Sequence, residues 1–271
     1  MFYLGIDGGG TGCRAALADA EGRILARAEG GPANIASDYD GALRALRQVA
    51  AEVMAGRGPV RAVLGLAGAN LSGAAERLAA ELPFEARVVQ DVTTSVRGAL
   101  GPADGIVAAI GTGSVFARQL GGQVRAIGGW GLRLGDEASG AWIGQRLLAR
   151  VTRGLDGFVP LTPLLAELAR ELGGPAGIVA FSLRATPADW ARHAPRALQD
   201  DPAAQAVRAE AEAEIRAAIT LLQPGAALPV TWLGGLGAQL ALPDWPLRAP
   251  QGTALDGALA LAREEATWKT P

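Results

Sequence analysis

The sequence has little of several features that often indicate a protein's class. Cys13 is the only cysteine among 271 residues, so no internal disulfide can form. Gly, Pro or charged residues interrupt every long apolar stretch, and no basic segment precedes an apolar one near the start, which argues against a membrane span and a secretory signal. An excess of charge is also absent, because 25 basic and 27 acidic residues give a net charge of −2. We therefore expect a cytoplasmic protein without nucleic-acid or membrane partners.

Hydrophobic residues make up 49% of the sequence, enough for a sizeable core in one large domain or two smaller ones. Apolar patterning over the first hundred residues predicts the order β-β-β-α-β-α-β-α, with the second helix at 71–82. Residues 101–105 are the best domain boundary, and after them the order strand, glycine turn, strand, turn, strand starts again. We predict one lobe at 1–102 and another at 103–253. A last helix within 254–271 can pack on either lobe.

The second half is predicted to be mainly helical after its first three strands. Spacing of apolar residues predicts helices at 141–153, 161–172, 187–198 and 203–222, followed by a strand at 230–233. His193, the only histidine, is expected on the surface near the end of the third of these helices. Cys13 is expected to be a small buried side chain.

The first strand ends in a sequence suited to phosphate binding. An apolar run ends on Asp7, and three glycines and Thr11 follow. Glycines let backbone N–H groups approach an anion, the carboxylate can hold a divalent cation or its water, and the threonine can donate to a phosphate oxygen. A P-loop needs a Lys-Ser/Thr pair after its glycines, and a dinucleotide fingerprint needs a helix there. Here a strand follows, so an ordinary glycine-rich hairpin turn is the alternative interpretation.

Two more glycine turns follow apolar strands, at Gly111–Ser114 and Gly234–Gly237. In a two-lobed protein the first two turns could hold phosphates from opposite sides, and the third could seat a purine. Asp91 also ends a strand, where a carboxylate could accept a proton from a hydroxyl that attacks phosphorus. The alternative is that Asp91 caps the next helix. Arg14 could likewise reach a phosphate or pair across the hairpin.

The loop at residues 128–140 is the most unusual stretch of the chain. Trp130 has glycine on both sides, which makes a core position in a strand or helix less favourable for it. Together with the three glycine turns, this loop resembles a known group of enzymes. The turns resemble the phosphate-1, phosphate-2 and adenosine motifs of the actin/hexokinase/heat-shock-chaperone ATPase superfamily. Within it, the chain resembles the N-acetylglucosamine and glucosamine kinases of the BadF/BadG/BcrA/BcrD ATPase family. The matching stretches are 8–15, 31–35, 90–91, 111–114, 128–140, 250–252 and 257–259.

The resemblance implies an α/β fold of two duplicated ribonuclease H-like (actin-like ATPase) lobes with an interdomain cleft. It also implies a role for individual residues. Asp91 is similar to the base that activates the sugar 6-hydroxyl, and Asp7 would lie near Mg²⁺ with water between them. The implied sugar contacts are Asn34, Asp91, Ser114, Val115, Gly129, Trp130, Gly131 and Asp136. The implied ATP contacts are Gly9, Gly10, Thr11, Arg14, Thr112, Gly113, Gly234, Gly235 and Gly237.

The activity implied by the resemblance is ATP-dependent 6-phosphorylation of N-acetylglucosamine or glucosamine, with ATP and Mg²⁺ as cofactors. Relatives also suggest a homodimer through the second lobe. The alternative from another class is a sugar- or nucleotide-responsive regulator that hydrolyses ATP as a switch. The dehydratase activators of the same broad family carry an iron–sulfur cluster, which a single cysteine cannot anchor by itself.

Overall fold

Five strands near the start of the chain form the first sheet of the computed structural model, which describes residues 1–70, 73–264 and 268. The strands are β1 (Phe2–Gly8), β2 (Cys13–Ala18), β3 (Ile24–Gly30), β4 (Val60–Leu66) and β5 (Glu85–Gln90), in the order β3-β2-β1-β4-β5. β2 pairs antiparallel with β1 and β3, whereas β4 pairs parallel with β1 and β5. The carboxyl ends of β1, β4 and β5 therefore share one edge, where Asp7 and Asp91 lie.

Four helices pack against this sheet, and the first two share with it an apolar core that includes Leu4, Ile6, Leu46 and Leu64. They are α1 (Tyr39–Met54), α2 (Ala74–Glu81), α3 (Asp91–Leu100) and, from the end of the chain, α9 (Ala254–Arg263). Asp38 caps α1 by accepting a hydrogen bond from the Gly41 N–H at 2.9 Å, which satisfies one of the free donors of the first turn. The predicted order of the first half is confirmed. The predicted start of α2 at residue 71 lies outside the described residues.

Two glycines let α3 and α9 cross at very short distance. A Cβ on Gly98 would overlap the carbonyl oxygen of Thr253, and a Cβ on Gly257 would overlap that of Thr94. Gly5 of β1 likewise leaves room for Leu259, because a Cβ there would lie 2.8 Å from the Leu259 Cγ. These contacts hold α3 and α9 close together and hold α9 against β1.

The second sheet repeats the strand order of the first. Its strands are β6 (Gly105–Ile110), β7 (Ser114–Leu120), β8 (Gln123–Gly128) and β9 (Val230–Leu233), in the order β8-β7-β6-β9. β9 pairs parallel with β6, as β4 does with β1. Where the first sheet has a fifth strand, the second has only an isolated parallel bridge between Val230 and Leu247 among the described residues. The second sheet is therefore a shortened copy of the first.

The second half is rich in helices, as predicted, but their bounds differ. They are α4 (Gly140–Leu155), α5 (Pro163–Glu171), α6 (Gly174–Ser182), α7 (Pro187–Ala191), a 3₁₀ helix (Ala194–Leu198) and α8 (Pro202–Leu222). The helix predicted at 187–198 is wrong as one element, because Pro195 disfavours α-helical backbone in the residue before it. α6 was not predicted, because Gly173, Gly174, Pro175 and Gly177 give it the composition of a loop.

His193 is half-buried rather than a solvated surface residue, and its ring packs edge-on against Phe181 with 5.5 Å between centroids. Burial lowers the pKa of its imidazole. Cys13 is buried, as predicted. No helix within the described ranges is both long enough and apolar enough to cross a membrane.

The described chain divides into two compact units. Unit 1 comprises Met1–Asp104, Gln119–Val124 and the described residues from Ala249 onward, and unit 2 comprises Gly105–Arg118 and Arg125–Arg248. Unit 2 has its own core, which includes Ile106, Leu147, Val207 and Ile215. The predicted fold class, α/β with two ribonuclease H-like sheets of matching strand order, is confirmed.

Candidate active site

The glycine turn after β1 leaves its backbone exposed to a possible ligand. The Gly9 N–H donates to the Gly12 carbonyl at 2.9 Å and closes the turn. A Cβ on Gly9 or Gly10 would meet no atom within 4 Å, so open space lies over both residues. In the described chain, the N–H groups of Gly10 and Thr11 donate to no backbone carbonyl. This turn can therefore offer free N–H donors to an anion.

A cavity of about 440 Å³ in unit 1 opens beside this turn. It brings together five residues predicted for the site: Asp7, Gly9, Thr11, Arg14 and Asp91. The other lining residues are Gly8, Gly12, Cys13, Glu29, Gly30, Ser95 and Ala254. Gly10 and Asn34 do not line it. Asp7, which precedes the glycine turn, and Asp91, 84 residues later in sequence, thus share one cavity because β1 and β5 end at the same edge of the sheet.

The Asp7 carboxyl is held in a perturbed environment. Burial raises its pKa, the Arg14 guanidinium lowers it, and the negative charge of Asp91 raises it again. The two carboxylates that line the cavity near its glycine turn are hard oxygen donors of the kind that Mg²⁺ prefers. Within the described ranges, no group of three or more His, Cys, Asp and Glu side chains is placed to hold a metal ion.

Asp91 is the first residue of α3, and its N-cap is Gln90, so the interpretation of Asp91 as the helix cap is wrong. Its Oδ1 accepts the Val92 N–H at 2.8 Å, while the Thr94 hydroxyl donates to its carbonyl oxygen at 2.9 Å. The protein around the carboxyl raises its pKa by desolvation, and hydrogen bonds from the backbone of Val92 and Asp91 lower it in part. The Val92 N–H fixes the carboxylate at Oδ1, and no side chain of the described residues donates a hydrogen bond to Oδ2.

Asn34 uses its side-chain oxygen locally. Its Oδ1 accepts N–H groups from Ala36 at 2.9 Å and Ser37 at 3.3 Å, so it closes its own turn. The loop is held beside the glycine turn, because the Ala33 N–H donates to the Gly9 carbonyl at 2.9 Å. The amide nitrogen of Asn34, rather than its oxygen, is therefore the group available to a ligand.

In unit 2, the turn at Gly111–Ser114 is joined to the 128–140 loop by hydrogen bonds. The Ser114 hydroxyl is buried and donates to the Glu137 carbonyl at 2.7 Å, and the Gly129 N–H donates to the Ser114 carbonyl at 3.0 Å. The start of α4 closes over the same turn, since Gly140 and Ala141 donate to the carbonyls of Gly111 and Thr112. These bonds hold the backbone of both segments in one arrangement, with half-buried Val115 beside Gly129.

Asp136 is a buried residue of the 128–140 loop and accepts a hydrogen bond from within it. It is 8% exposed, and its Oδ1 accepts the Gly131 N–H at 2.8 Å. Burial raises the pKa of its carboxyl, the Gly131 N–H lowers it, and the charge of Glu137 raises it. Its φ of 57° is in the left-handed region, which Asp tolerates better than most residues. A Cβ on Gly113 would lie 2.8 Å from the Asp136 Oδ2, so a glycine there allows the carboxylate to approach.

Trp130 is 68% exposed, so the interpretation of it as a core residue is wrong. An exposed tryptophan between two glycines, with φ of 72° at Gly129 and 83° at Gly131, presents an open aromatic face. A flat apolar surface of this kind suits the apolar face of a sugar ring or the carbons of an acyl group.

The third glycine turn packs on the end of β6. The Leu236 N–H donates to the Ile110 carbonyl at 3.1 Å, and the Gly237 N–H donates to the Gly234 carbonyl at 3.2 Å. Gly234 has a φ of 82°, and a Cβ on it would overlap the Ile110 carbonyl oxygen. Gly235 has open space around its Cβ position. All three segments predicted for the second lobe therefore meet at one end of the second sheet.

Seven lining residues of the unit 1 cavity were not among the predicted site residues, and Glu29, Ser95 and Ala254 are three of them. Ser95 follows Asp91 by four residues on α3, and helical spacing could have indicated that both share a face. Glu29 depends on the register of β2 with β3, which places it opposite Arg14. Ala254 reaches the cavity only because α9 packs on the first sheet, so no local signal pointed to it.

Comparison with known proteins agrees with this arrangement. The sequence profile described as the BadF/BadG/BcrA/BcrD ATPase family matches residues 4–223. Glucosamine kinase GspK of Vibrio cholerae is 30% identical over 96% of this chain and 95% of its own length. An N-acetylmuramic acid/N-acetylglucosamine kinase of Clostridium acetobutylicum is 28% identical over 57% of this chain and 55% of its own. Among solved structures, a proposed N-acetylglucosamine kinase of Chromobacterium violaceum superposes with a TM-score of 0.84 at 34% identity, covering 97% of this chain and 99% of that one.

Proposed function

The chain belongs to the BadF/BadG/BcrA/BcrD ATPase family, and from this premise we propose that it is an ATP-dependent amino-sugar kinase. The proposed reaction transfers the γ-phosphoryl group of ATP to the 6-hydroxyl of glucosamine or N-acetylglucosamine. The observation that carries the proposal is the cavity of unit 1, which is lined by the glycine turn, Asp7 and Asp91.

Asp91 is the proposed general base. Phosphoryl transfer needs positioning and charge neutralisation more than covalent chemistry by the protein. As the sugar oxygen forms its bond to the γ-phosphorus, the bond from that phosphorus to the β–γ bridging oxygen breaks, and ADP leaves. The proton of the sugar hydroxyl passes to Asp91. A carboxyl with a raised pKa is a stronger base than ordinary aspartate, and its free oxygen suits this role.

The glycine turn is proposed to hold the phosphates. The unused N–H groups of Gly10 and Thr11, the Thr11 hydroxyl and the Arg14 guanidinium are the donors that unit 1 offers to an anion. Asp7 is proposed to hold Mg²⁺ through water, as its carboxylate and the nearby charge of Asp91 fit a hard cation. Bound Mg²⁺ would neutralise charge on the transferring phosphates.

Unit 2 is proposed to supply further contacts with both substrates. Thr112 and Gly113 would contact phosphate, and Gly234, Gly235 and Gly237 would face the adenosine. Asp136, Trp130 and the backbone at Ser114–Val115 and Gly129–Gly131 would contact the sugar. Support comes from the hydrogen bonds that join the 111–114 turn, the 128–140 loop and the start of α4 into one arrangement.

ADP release measured over a panel of sugars tests the proposal. The panel contains glucosamine, N-acetylglucosamine, N-acetylmannosamine, glucose and a 6-deoxy analogue of the best substrate. We expect at least one amino sugar to accelerate ADP release by about 100-fold or more, and the 6-deoxy analogue to give none. Phosphorus–proton coupling in the product identifies the phosphorylated carbon. Slow ATP hydrolysis that no sugar accelerates would contradict the proposal and favour an ATP-hydrolysing regulator.

A further inference from the structure

The Arg14 guanidinium already has a partner in the cavity wall. Arg14 and Glu29 stand opposite each other in the register of β2 and β3, with 3.7 Å between the Arg14 Nε and the Glu29 Oε1. Their side chains are 65% and 83% exposed, and both line the unit 1 cavity. At this length the contact is an ion pair without a hydrogen bond, so it can open readily.

The charges that line this cavity give the pairing of Arg14 with Glu29 a bearing on phosphate binding. Asp7, Asp91 and Glu29 place three carboxylates in its wall, and Arg14 is the one basic residue among the described residues that line it. The phosphates of a nucleotide bring several negative charges to the same space. A guanidinium binds phosphate oxygens through two parallel N–H bonds, so Arg14 is the strongest single side-chain donor the cavity can offer.

We propose that Glu29 competes with the nucleotide phosphates for Arg14. In the free protein Glu29 pairs with the guanidinium across β2 and β3, and this pairing opposes contact between Arg14 and a phosphate. Glu29 is thus a positioning residue that weakens nucleotide binding and favours release of ADP. This inference depends on ATP binding in the unit 1 cavity and not on the identity of the sugar.

The solvent exposure of the Arg14–Glu29 ion pair determines how large a change in ATP affinity we expect. Solvent-exposed ion pairs are weak, so removing Glu29 is expected to strengthen ATP binding about two- to fivefold. The gain must involve the phosphates, so adenosine should bind equally well with and without Glu29. The gain in ATP affinity should also decrease as the salt concentration rises, because salt screens exposed charges.

The test is equilibrium binding of Mg·ATP and of adenosine to E29Q, without sugar. The matched control is E21Q, which removes an exposed carboxylate from the opposite end of the same hairpin. We expect E29Q to bind ATP about two- to fivefold more tightly, with E21Q at the wild-type value. Unchanged or weaker ATP binding by E29Q, or an equal gain for adenosine, would overturn the inference.

A double-mutant cycle separates action through Arg14 from direct repulsion of phosphate by Glu29. In the R14Q background, E29Q should no longer change ATP affinity, because the shared partner is gone. Persistence of the full gain in that background would overturn the positioning role. If ATP binding follows the expected double-mutant cycle but the protein phosphorylates no sugar, the proposed function is contradicted and this inference stands.

Discussion

Burial raises the pKa of the Asp7 carboxyl, and the negative charge of Asp91 raises it further, although the two residues are 84 positions apart and belong to different elements. The relationship exists because parallel pairing of β1, β4 and β5 brings the end of β1 and the start of α3 to one edge of the sheet. Holding two carboxylates near each other is unfavourable unless a cation or a proton is shared with them. Placing both carboxyls in one cavity therefore lowers stability, and a bound cation or proton would offset that loss.

Asp91→Asn should lower kcat by about 100- to 10,000-fold while ATP binding stays near the wild-type value. The amide cannot accept the hydroxyl proton, but its oxygen can still accept the Val92 N–H, so α3 should keep its start. Asp40→Asn, at an exposed position in the first turn of α1, is the control for loss of one carboxylate. Near-normal kcat in Asp91→Asn would rule out the base assignment.

As pH is lowered, activity should be lost at a higher pH than expected for a base with the pKa of an ordinary aspartate. Desolvation raises the pKa of Asp91 above its usual value of about 3.9, so its carboxylate becomes protonated earlier as pH falls. Below that pKa, kcat/KM should drop about tenfold per pH unit. The measurement is kcat/KM against pH, with Asp91→Asn as the reference in which this limb should be missing.

This loss should precede acid unfolding. The pKa values of Asp7, Asp91 and Asp136 are raised in the folded protein, so the fold binds these protons more tightly than the unfolded chain does. Their contribution to stability therefore increases as pH falls from neutral through their raised values. Carboxyls whose pKa is lowered by hydrogen bonds, such as Asp201, destabilise the fold only at lower pH. Thermal unfolding measured in parallel should show no decrease across the pH range where activity is lost.

The sequence predicted those site features that depend on local chemistry. A carboxylate or a glycine-rich turn directly after a predicted strand located Asp7, Asp91 and the three turns, because these residue types are informative within a few positions. Features that depend on strand pairing or helix packing could not be predicted from the local sequence. Glu29 joins the cavity through the β2–β3 register, Ala254 through the docking of α9, and the Asn34 oxygen is taken by its own turn. Helix α6 was missed for a related reason, since its composition is that of a loop.

Gly98→Ala should destabilise the protein by about 3 kcal/mol, because the added methyl group would overlap the Thr253 carbonyl and push α9 off α3. Gly31→Ala is the matched control, since a Cβ there meets no atom within 4 Å and its φ lies outside the left-handed region. Chemical denaturation of both variants provides the comparison. Equal stability of the two would show that the close helix crossing does not hold this unit together.

Asp136→Asn should raise the KM for the sugar about tenfold and leave the KM for ATP unchanged. The asparagine oxygen can accept the Gly131 N–H, and asparagine tolerates the left-handed φ of this position, so the loop should keep its shape. Only the negative charge is lost, and a hydrogen bond from a sugar hydroxyl to a carboxylate is worth more than one to an amide. Asp156→Asn, on the exposed end of α4, controls for charge loss in the same unit. Asp136→Ala adds loss of the Gly131 bond and should impair the sugar KM further. An Asp136→Asn enzyme whose two KM values rise together would instead assign this carboxylate to the structure of the loop alone.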